Sequence, residues 1–460
     1  MYLALLLALA LPADWVPVRW KSAEPKSLGI VAGTPVNCLL LEWKEADRDA
    51  IAAFAAAARE KGIVTLGVVT PAADAAQAAR AIVNAKLSGV VLEGEFPEAA
   101  IEKVKDSLSG SEAALVELTS RRRMKLNGTS PIIGTYQAVW PGIQIYEDGH
   151  AKAGPTGSPW IDTNAGFIRS VRAYGNFELW LGNQPPENTV VTGERYLQAI
   201  ADAGIVGARW VLAFDRDFNQ RLLAREEKAI KDWEAICRHL KFFEEGRVWR
   251  SLSPHGQLAV VQDVSSGALL SGGILDMIAA KHTPVRPIPS HKLRPEALKG
   301  ATMAVNVDNE ALRPEERQVL RTFTRAGNTV LTGPPGWKAP TAAGEEQITL
   351  EKEELERLND IWRDVQAMIG RKNLGARLFN VSSMLSNVVA SEDGKRVVVQ
   401  LVNYSGYPIE AIAVHLIGDF KRARLYTPDG QSRDLQTYKN EENTGVDIDS
   451  VGVCAALLVE

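Results

Sequence analysis

VNCLLLEWKEADRDAIAAFAAAAREKGIVTLGVV, residues 36–69, reads as strand, helix and strand. VNCLLLE is apolar with little alternation, as a strand covered on both faces must be. EADRDAIAAFAAAAREKG is an Ala-rich amphipathic helix that ends at Gly62, the residue type favoured just past a helix. VTLGVV (64–69) is a second strand. A strand, a helix and a strand in so short a span make a crossover unit of a parallel sheet.

The same unit repeats in both directions. VPVRW (16–20) precedes it, and GVVLEGEF (89–96), ALVELT (114–119), PIIGTYQA (131–138), FELWLG (177–182) and ARWVLAF (208–214) follow. Helical segments such as DAAQAARAIVNAKLSG and PEAAIEKVKDSL stand between strands, and a helix from Arg221 to about Phe243 closes the run. Eight such strands predict an α/β fold with a (β/α)8 TIM barrel over residues 14–246. A doubly wound open sheet is the runner-up. No GxGxxG follows the first strand, so dinucleotide binding has no support.

Beyond the barrel the pattern changes twice. Residues 247–345 hold QLAVVQD (257–263), ATMAVNVDN (301–309), a helix PEERQVLRTFTRAG and NTVLTGPPGW, a small doubly wound α/β domain. Residues 346–376 predict an acidic linker helix with a solvated face. Residues 377–460, with KRVVVQLVNYS, IEAIAVHLIG and KRARLYTPDG, predict a C-terminal antiparallel β-sandwich.

Composition narrows the function. The chain has 460 residues, 46% hydrophobic and 23% charged, ordinary globular values. A net charge of −4 gives no support for nucleic acid or an anionic membrane as partner. Cys38, Cys237 and Cys454 lie far apart in apolar or helical settings and imply neither a disulfide framework nor a metal site. The histidines form no HxH or HExxH, so no metal and no cofactor is expected. MYLALLLALALPA (1–13) has the apolar run and small-residue cleavage sites of a signal peptide, too short to span a bilayer, and predicts an exported protein, periplasmic or extracellular.

Residues 131–165, PIIGTYQAVWPGIQIYEDGHAKAGPTGSPWIDTNA, begin as a strand and then refuse a helix. Long aromatic connections of this kind are functional more often than disordered. The stretch is expected to be the loop after the sixth strand, lying over the barrel rim, with Tyr136, Gln137, Trp140, Trp160, Asp162 and Asn164 touching substrate. A Pro/Gly-rich insertion that merely packs by its tryptophans is the plain alternative.

In a barrel, chemistry sits at the carboxyl ends of the strands. Period-two reading of each strand brings Glu42, Glu93, Glu95, Glu117, Gln137, Asn183 and Asp215 to such ends. Carboxylates at this density beside tryptophans suit glycoside hydrolysis. One acid protonates the leaving oxygen, and a second attacks the sugar or activates water, at about 5 Å separation for retention or about 6.5–9.5 Å for inversion. Glu93 or Glu95 with Asp215 is the preferred pair, with Asp162 as third candidate. Trp20, Trp43, Trp140, Trp160 and Trp180 are candidate platforms for sugar faces. Each has a structural alternative: Trp180 packed between elements, Glu42 or Glu117 in ion pairs, Asp162 as a helix N-cap.

The middle domain's arrangement resembles the glutamine-amidotransferase-like domain that follows the barrel in some β-galactosidases and related glycosidases. Residues 251–345 contain no cysteine, so the amidotransferase nucleophile is missing and the domain is expected to be structural, or the surface of a homo-oligomer. NYSGYPIE and YTPDG resemble the C-terminal sandwich of multidomain glycosidases. The three-domain layout therefore resembles a multidomain glycoside hydrolase. The large barrel-glycosidase clan carries Asn-Glu after the fourth strand and a nucleophilic Glu after the seventh. Here the fourth strand ends Leu92-Glu93 and the seventh Gly182-Asn183, so that signature is not matched.

Arg19, Arg121-Arg122-Arg123 and Arg216 lie near predicted strand ends, and arginine forks bind carboxylates bidentately. They admit an anionic sugar, and equally a solvated loop that balances the rim carboxylates. Two functions follow: an exported glycoside hydrolase, or a non-catalytic glycan-binding protein on a degenerate glycosidase scaffold. A rim in which every carboxylate is locked to arginine would favour the second.

Overall fold

The computed structural model describes residues 12–126, 130–152, 158–262, 282–306, 312–332 and 363–460. Most of the expected signal segment 1–13 and of the linker helix 346–376 lies outside the described residues, although 363–369 are helical. By compactness the chain forms two units. One comprises residues up to Ala138, Asn176–Tyr196 and Ala208–Lys241; the other comprises Val139–Gly175, Leu197–Gly207 and Phe242–Glu460.

The first unit carries the barrel. Its parallel strands are β1 (Pro17–Arg19), β2 (Cys38–Glu42), β3 (Val64–Val69), β4 (Gly89–Glu93), β5 (Ala114–Thr119), β6 (Ile132–Thr135), β9 (Glu178–Gly182) and β10 (Arg209–Val211). They pair in that order, and a parallel bridge from Val18 to Leu212 closes the ring. Arg19 N donates to Leu212 O at 2.7 Å across this seam. All eight strands fall where the apolar runs predict them. The barrel interior is filled by Cys38, Leu40, Leu66, Val91, Val116, Leu118, Trp180 and Val211. Trp15 meets Trp180 with ring centroids 6.4 Å apart.

The crossovers include α1 (Leu28–Val31), α2 (Arg48–Glu60), α3 (Ala75–Asn84), α4 (Glu98–Leu108) and α6 (Gly193–Gly204). Ile51, Phe54, Ala55 and Ala58 form the buried stripe of α2 at helical spacing. The closing helix differs from expectation. It is two helices, α7 (Arg216–Leu223) and α8 (Glu227–Glu245), separated at Arg225, which adopts φ +57°. A left-handed residue cannot continue a right-handed helix, so the chain turns there.

The second unit holds a short hairpin of β7 (Gly142–Ile143) and β8 (Ile161–Asp162), the helix α5 (Ala165–Arg172), and three larger sheets. A four-stranded parallel sheet runs in the order Val285–Pro289, Leu258–Gln262, Met303–Asn306, Thr329–Thr332. The helix Pro314–Arg325 lays Leu320 and Phe323 on it. Val285–Pro289 lies outside the strands read from the sequence. It is an edge strand, where proline's missing N–H costs least. Six- and four-stranded antiparallel sheets built from Ser253–Pro254 and strands between Ala376 and Val459 form the sandwich. Met384, Val399, Ile412, Val414, Val446 and Leu457 are among its core residues.

Candidate functional site

The barrel core fixes which residues reach the mouth. Val91 is interior, so Glu93 points inward at the end of β4. By the same parity Val116 and Leu118 lead to Ser120, Ile132 leads to Tyr136, and Trp180 leads to Gln184. Arg19, at the end of β1, reaches Glu93 and donates from Nη2 to Oε1 at 2.5 Å. The side chains of Arg19 and Glu93 are only 10% and 16% exposed, so this pair is largely withdrawn from water. Gln184, with its amide oriented by its neighbours, accepts from Arg19 Nε and Nη1 at 3.2 and 3.1 Å. One guanidinium thus ties β1 to the ends of β4 and β9.

Gly94 sets the next carboxylate apart. It adopts φ +120°, and a Cβ there would lie 2.8 Å from Pro71. The chain turns at this point, and Glu93 and Glu95 do not share one face as period two predicts. Glu95 leans toward β5, where its Oε1 accepts from Ser120 N at 2.8 Å and its Oε2 from Arg123 Nη1 at 2.7 Å. Burial alone would raise the Glu95 carboxyl, but the bonds from Ser120 and Arg123 outweigh it and hold it below its ordinary value. Tyr136 Oη donates to Glu95 Oε1 at 3.5 Å. Gln137 Oε1 accepts from Arg121 N, and Asn183 Nδ2 donates to Ala138 O at 2.6 Å. Arg121–Arg123 form a single 3-10 turn.

Several expected site residues serve the fold instead. Asp215 is the N-cap of α7: its carboxylate accepts from Phe218 N at 3.0 Å, Val191 N at 3.2 Å and Tyr196 Oη at 2.8 Å. A carboxylate so fully bonded has little left for a substrate. Trp20 is buried and donates from Nε1 to Ser27 Oγ, so its ring offers no platform. Trp180 is wholly enclosed in the barrel core. Glu117 has the opposite parity to Val116 and Leu118 and faces the helices, where it acts on Lys105 of α4. Glu42 is 72% exposed and paired with Lys44, and Arg216 is exposed at the start of α7. Trp43 is half-buried.

The stretch 131–165 contributes to both units, Tyr136 and Gln137 to the first and Trp140, Trp160, Asp162 and Asn164 to the second. In the second unit Asp162 pairs with Gly142 in the hairpin and accepts from Gln144 Nε2 at 2.5 Å. Trp140 and Trp160 are half-buried. Asn164 is buried: it joins Val139 through both amide atoms and reaches Asp202 Oδ2 through its own N and Nδ2. Asp202 also takes bonds from the Thr163 hydroxyl and from Tyr404 Oη. Asn164 is thus a structural strut. Burial raises the Asp202 carboxyl above its ordinary value despite the bonds from Thr163, Tyr404 and Asn164.

Sequence reasoning missed Ser120 and Gln184. Both were accessible from parity counted outward from interior residues. Among the described residues no group of three or more His, Cys, Asp or Glu is arranged to hold a metal ion. No helix among them is long and apolar enough to cross a membrane.

No protein-family model matches the sequence, and no curated protein matches it. Solved structures do resemble the fold. An α-L-fucosidase isoenzyme 2 from Paenibacillus thiaminolyticus superposes with a TM-score of 0.65 at 10% identity, over 97% of this chain and 99% of that one. A rhamnosidase from Novosphingobium sp. PP1Y gives 0.47 at 13% identity, over 90% of this chain and 47% of that one. The likeness to the first of these shows the fold alone, a TIM barrel followed by an antiparallel sandwich.

Proposed function

We propose that this chain is an exported glycan-acting protein whose sugar site is the barrel mouth, with hydrolysis of a glycosidic bond as its reaction. The observation that carries the reading is Glu93, an inward carboxylate at the carboxyl end of β4 that is gripped by Arg19 from the opposite side of the mouth. Glycosidic cleavage passes through an oxocarbenium-like transition state, and a fixed carboxylate stabilises the positive charge that develops there. In this scheme Glu93 faces the reacting carbon as nucleophile or base, Arg19 and Gln184 orient it, and Glu95 is the second carboxylate. The low-lying Glu95 suits a charged role better than proton donation, so in this scheme water supplies the proton to the leaving oxygen, and aryl leaving groups, which need none, are the favoured substrates. Arg121–Arg123 admit an anionic sugar as substrate.

One observation favours a second reading, glycan binding without cleavage: Glu93 and Glu95 are each engaged by a guanidinium. The test is a screen of aryl glycosides, beginning with α-L-fucosides because the superposed structure is a fucosidase, and including glucuronides and sialosides. Hydrolysis by the wild type, lowered about 100-fold or more in kcat by Glu93→Gln, is the expected result. If no glycoside is cleaved while a soluble glycan raises the melting temperature, the binding reading replaces it. Cleavage that survives both Glu93→Gln and Glu95→Gln removes the site assignment.

A further inference from the structure

We propose that the barrel carries a second binding site, remote from its mouth, for a small amphiphilic anion: a carboxylate or phosphate ester on an apolar body. The site is a pocket of about 450 Å³ between α1 and α8, walled on a third side by the loop that leads into the amino end of β2. It therefore lies toward the opposite ends of the strands from Arg19 and Glu93. Its volume is in the range of small-molecule sites, about 300–1,000 Å³.

The floor is apolar and fixed. Ile30, Ile230 and Trp233 line it, and Trp233 Nε1 donates to Ile30 O at 3.0 Å, which holds the ring in place. Thr34 is anchored through its hydroxyl to Val31 O at 2.7 Å. The rim is cationic. Arg225 and Arg238 stand there against one carboxylate, Glu234. Among the described residues neither Arg225 nor Arg238 has an ion-pair partner. An apolar floor beneath uncommitted guanidinium groups matches a ligand with an apolar body and an anionic head.

Arg225 strengthens the case. It stands at φ +57° just past the end of α7, where glycine or asparagine is the usual residue and other side chains are strained. Its guanidinium lies over Gly29, where a Cβ would come 2.9 Å from Nη2. The chain thus keeps an arginine where the backbone favours glycine, and a glycine beneath it where a side chain would push the arginine aside. Strained residues of this kind cluster at binding sites.

The test is isothermal titration of the full chain with octanoate and octyl phosphate, with octanamide as the neutral isostere and inorganic phosphate as the bare anion. Both octyl anions are expected to bind, and octanamide and inorganic phosphate at least tenfold more weakly. Arg225→Gly and Arg238→Gln should each weaken octanoate at least tenfold. Because glycine relieves the left-handed strain, Arg225→Gly should leave the melting temperature unchanged or raise it. Equal binding of octanoate and octanamide, octanoate affinity unchanged by both substitutions, or no binding of either octyl anion would overturn the proposal. Inorganic phosphate binding as tightly as octyl phosphate would overturn the apolar half of it.

Discussion

Arg19 and Glu93 are each the other's main compensation for lost water. Removing one partner of a buried pair leaves an uncompensated charge, at a typical cost of roughly 3–5 kcal/mol, while replacing both with apolar residues costs far less. Because Glu93 keeps slight exposure, Arg19→Met is expected at the lower end of that range. The double variant Arg19→Met/Glu93→Leu should recover much of the loss in urea unfolding. Additive single and double effects would show that the pair does not couple. Asp215 belongs to a different class: Asp215→Ala should lower stability by roughly 1–3 kcal/mol through the lost cap and the unpaired Tyr196 hydroxyl. A melting temperature unchanged by Asp215→Ala would remove its structural assignment. The position of Glu93, inward at the end of β4, was legible because strand parity and strand end coincide there. Glu117 was misplaced because parallel strands are apolar on both faces, so period two gives an alternation without saying which face is inside. Asp215 was misplaced because a residue that ends a strand and one that starts a helix look alike when the two elements adjoin.

At the scale of elements, Asp202 is the point that joins Thr163 and Asn164, at the start of α5, to Tyr404 of the sandwich. Its raised carboxyl means that the folded chain holds this proton more tightly than the unfolded chain does. The group's contribution to stability is therefore full below its ordinary value and is lost as pH climbs through the raised one. Asp202→Asn should flatten that decline in stability, followed by denaturant unfolding between about pH 4 and neutrality. Identical pH slopes in wild type and variant would contradict it. The eight strands and their order were legible, since each is an uninterrupted apolar run. The break at Arg225 was not, because no proline or glycine marks it and only the backbone geometry reveals it. The hairpin within 131–165 was missed too. Its strands are two residues each, below what periodicity can register.

The whole molecule keeps its thiols quiet. Burial pushes Cys38 and Cys454 well above the ordinary thiol range, and Cys237 up to about 12. A maleimide or disulfide reagent near neutral pH should label the native protein slowly at all of them, while denaturant should release all 3 thiols at once. Rapid labelling of one native thiol would show that the local packing is looser than described. The barrel also has an uneven circumference. β1 and β10, which close it, are three residues each and meet through the bridge at Val18 and Leu212, whereas β3 and β5 are six residues long. Local openings begin where the fewest hydrogen bonds must break. In amide exchange, the Arg19 and Leu212 protons should therefore trade with deuterium sooner than those inside β3. Since Arg19 hangs from that seam, each such breath would carry the guanidinium off Glu93 and briefly bare the carboxylate, making the closure of the barrel a clock for the charge at its mouth.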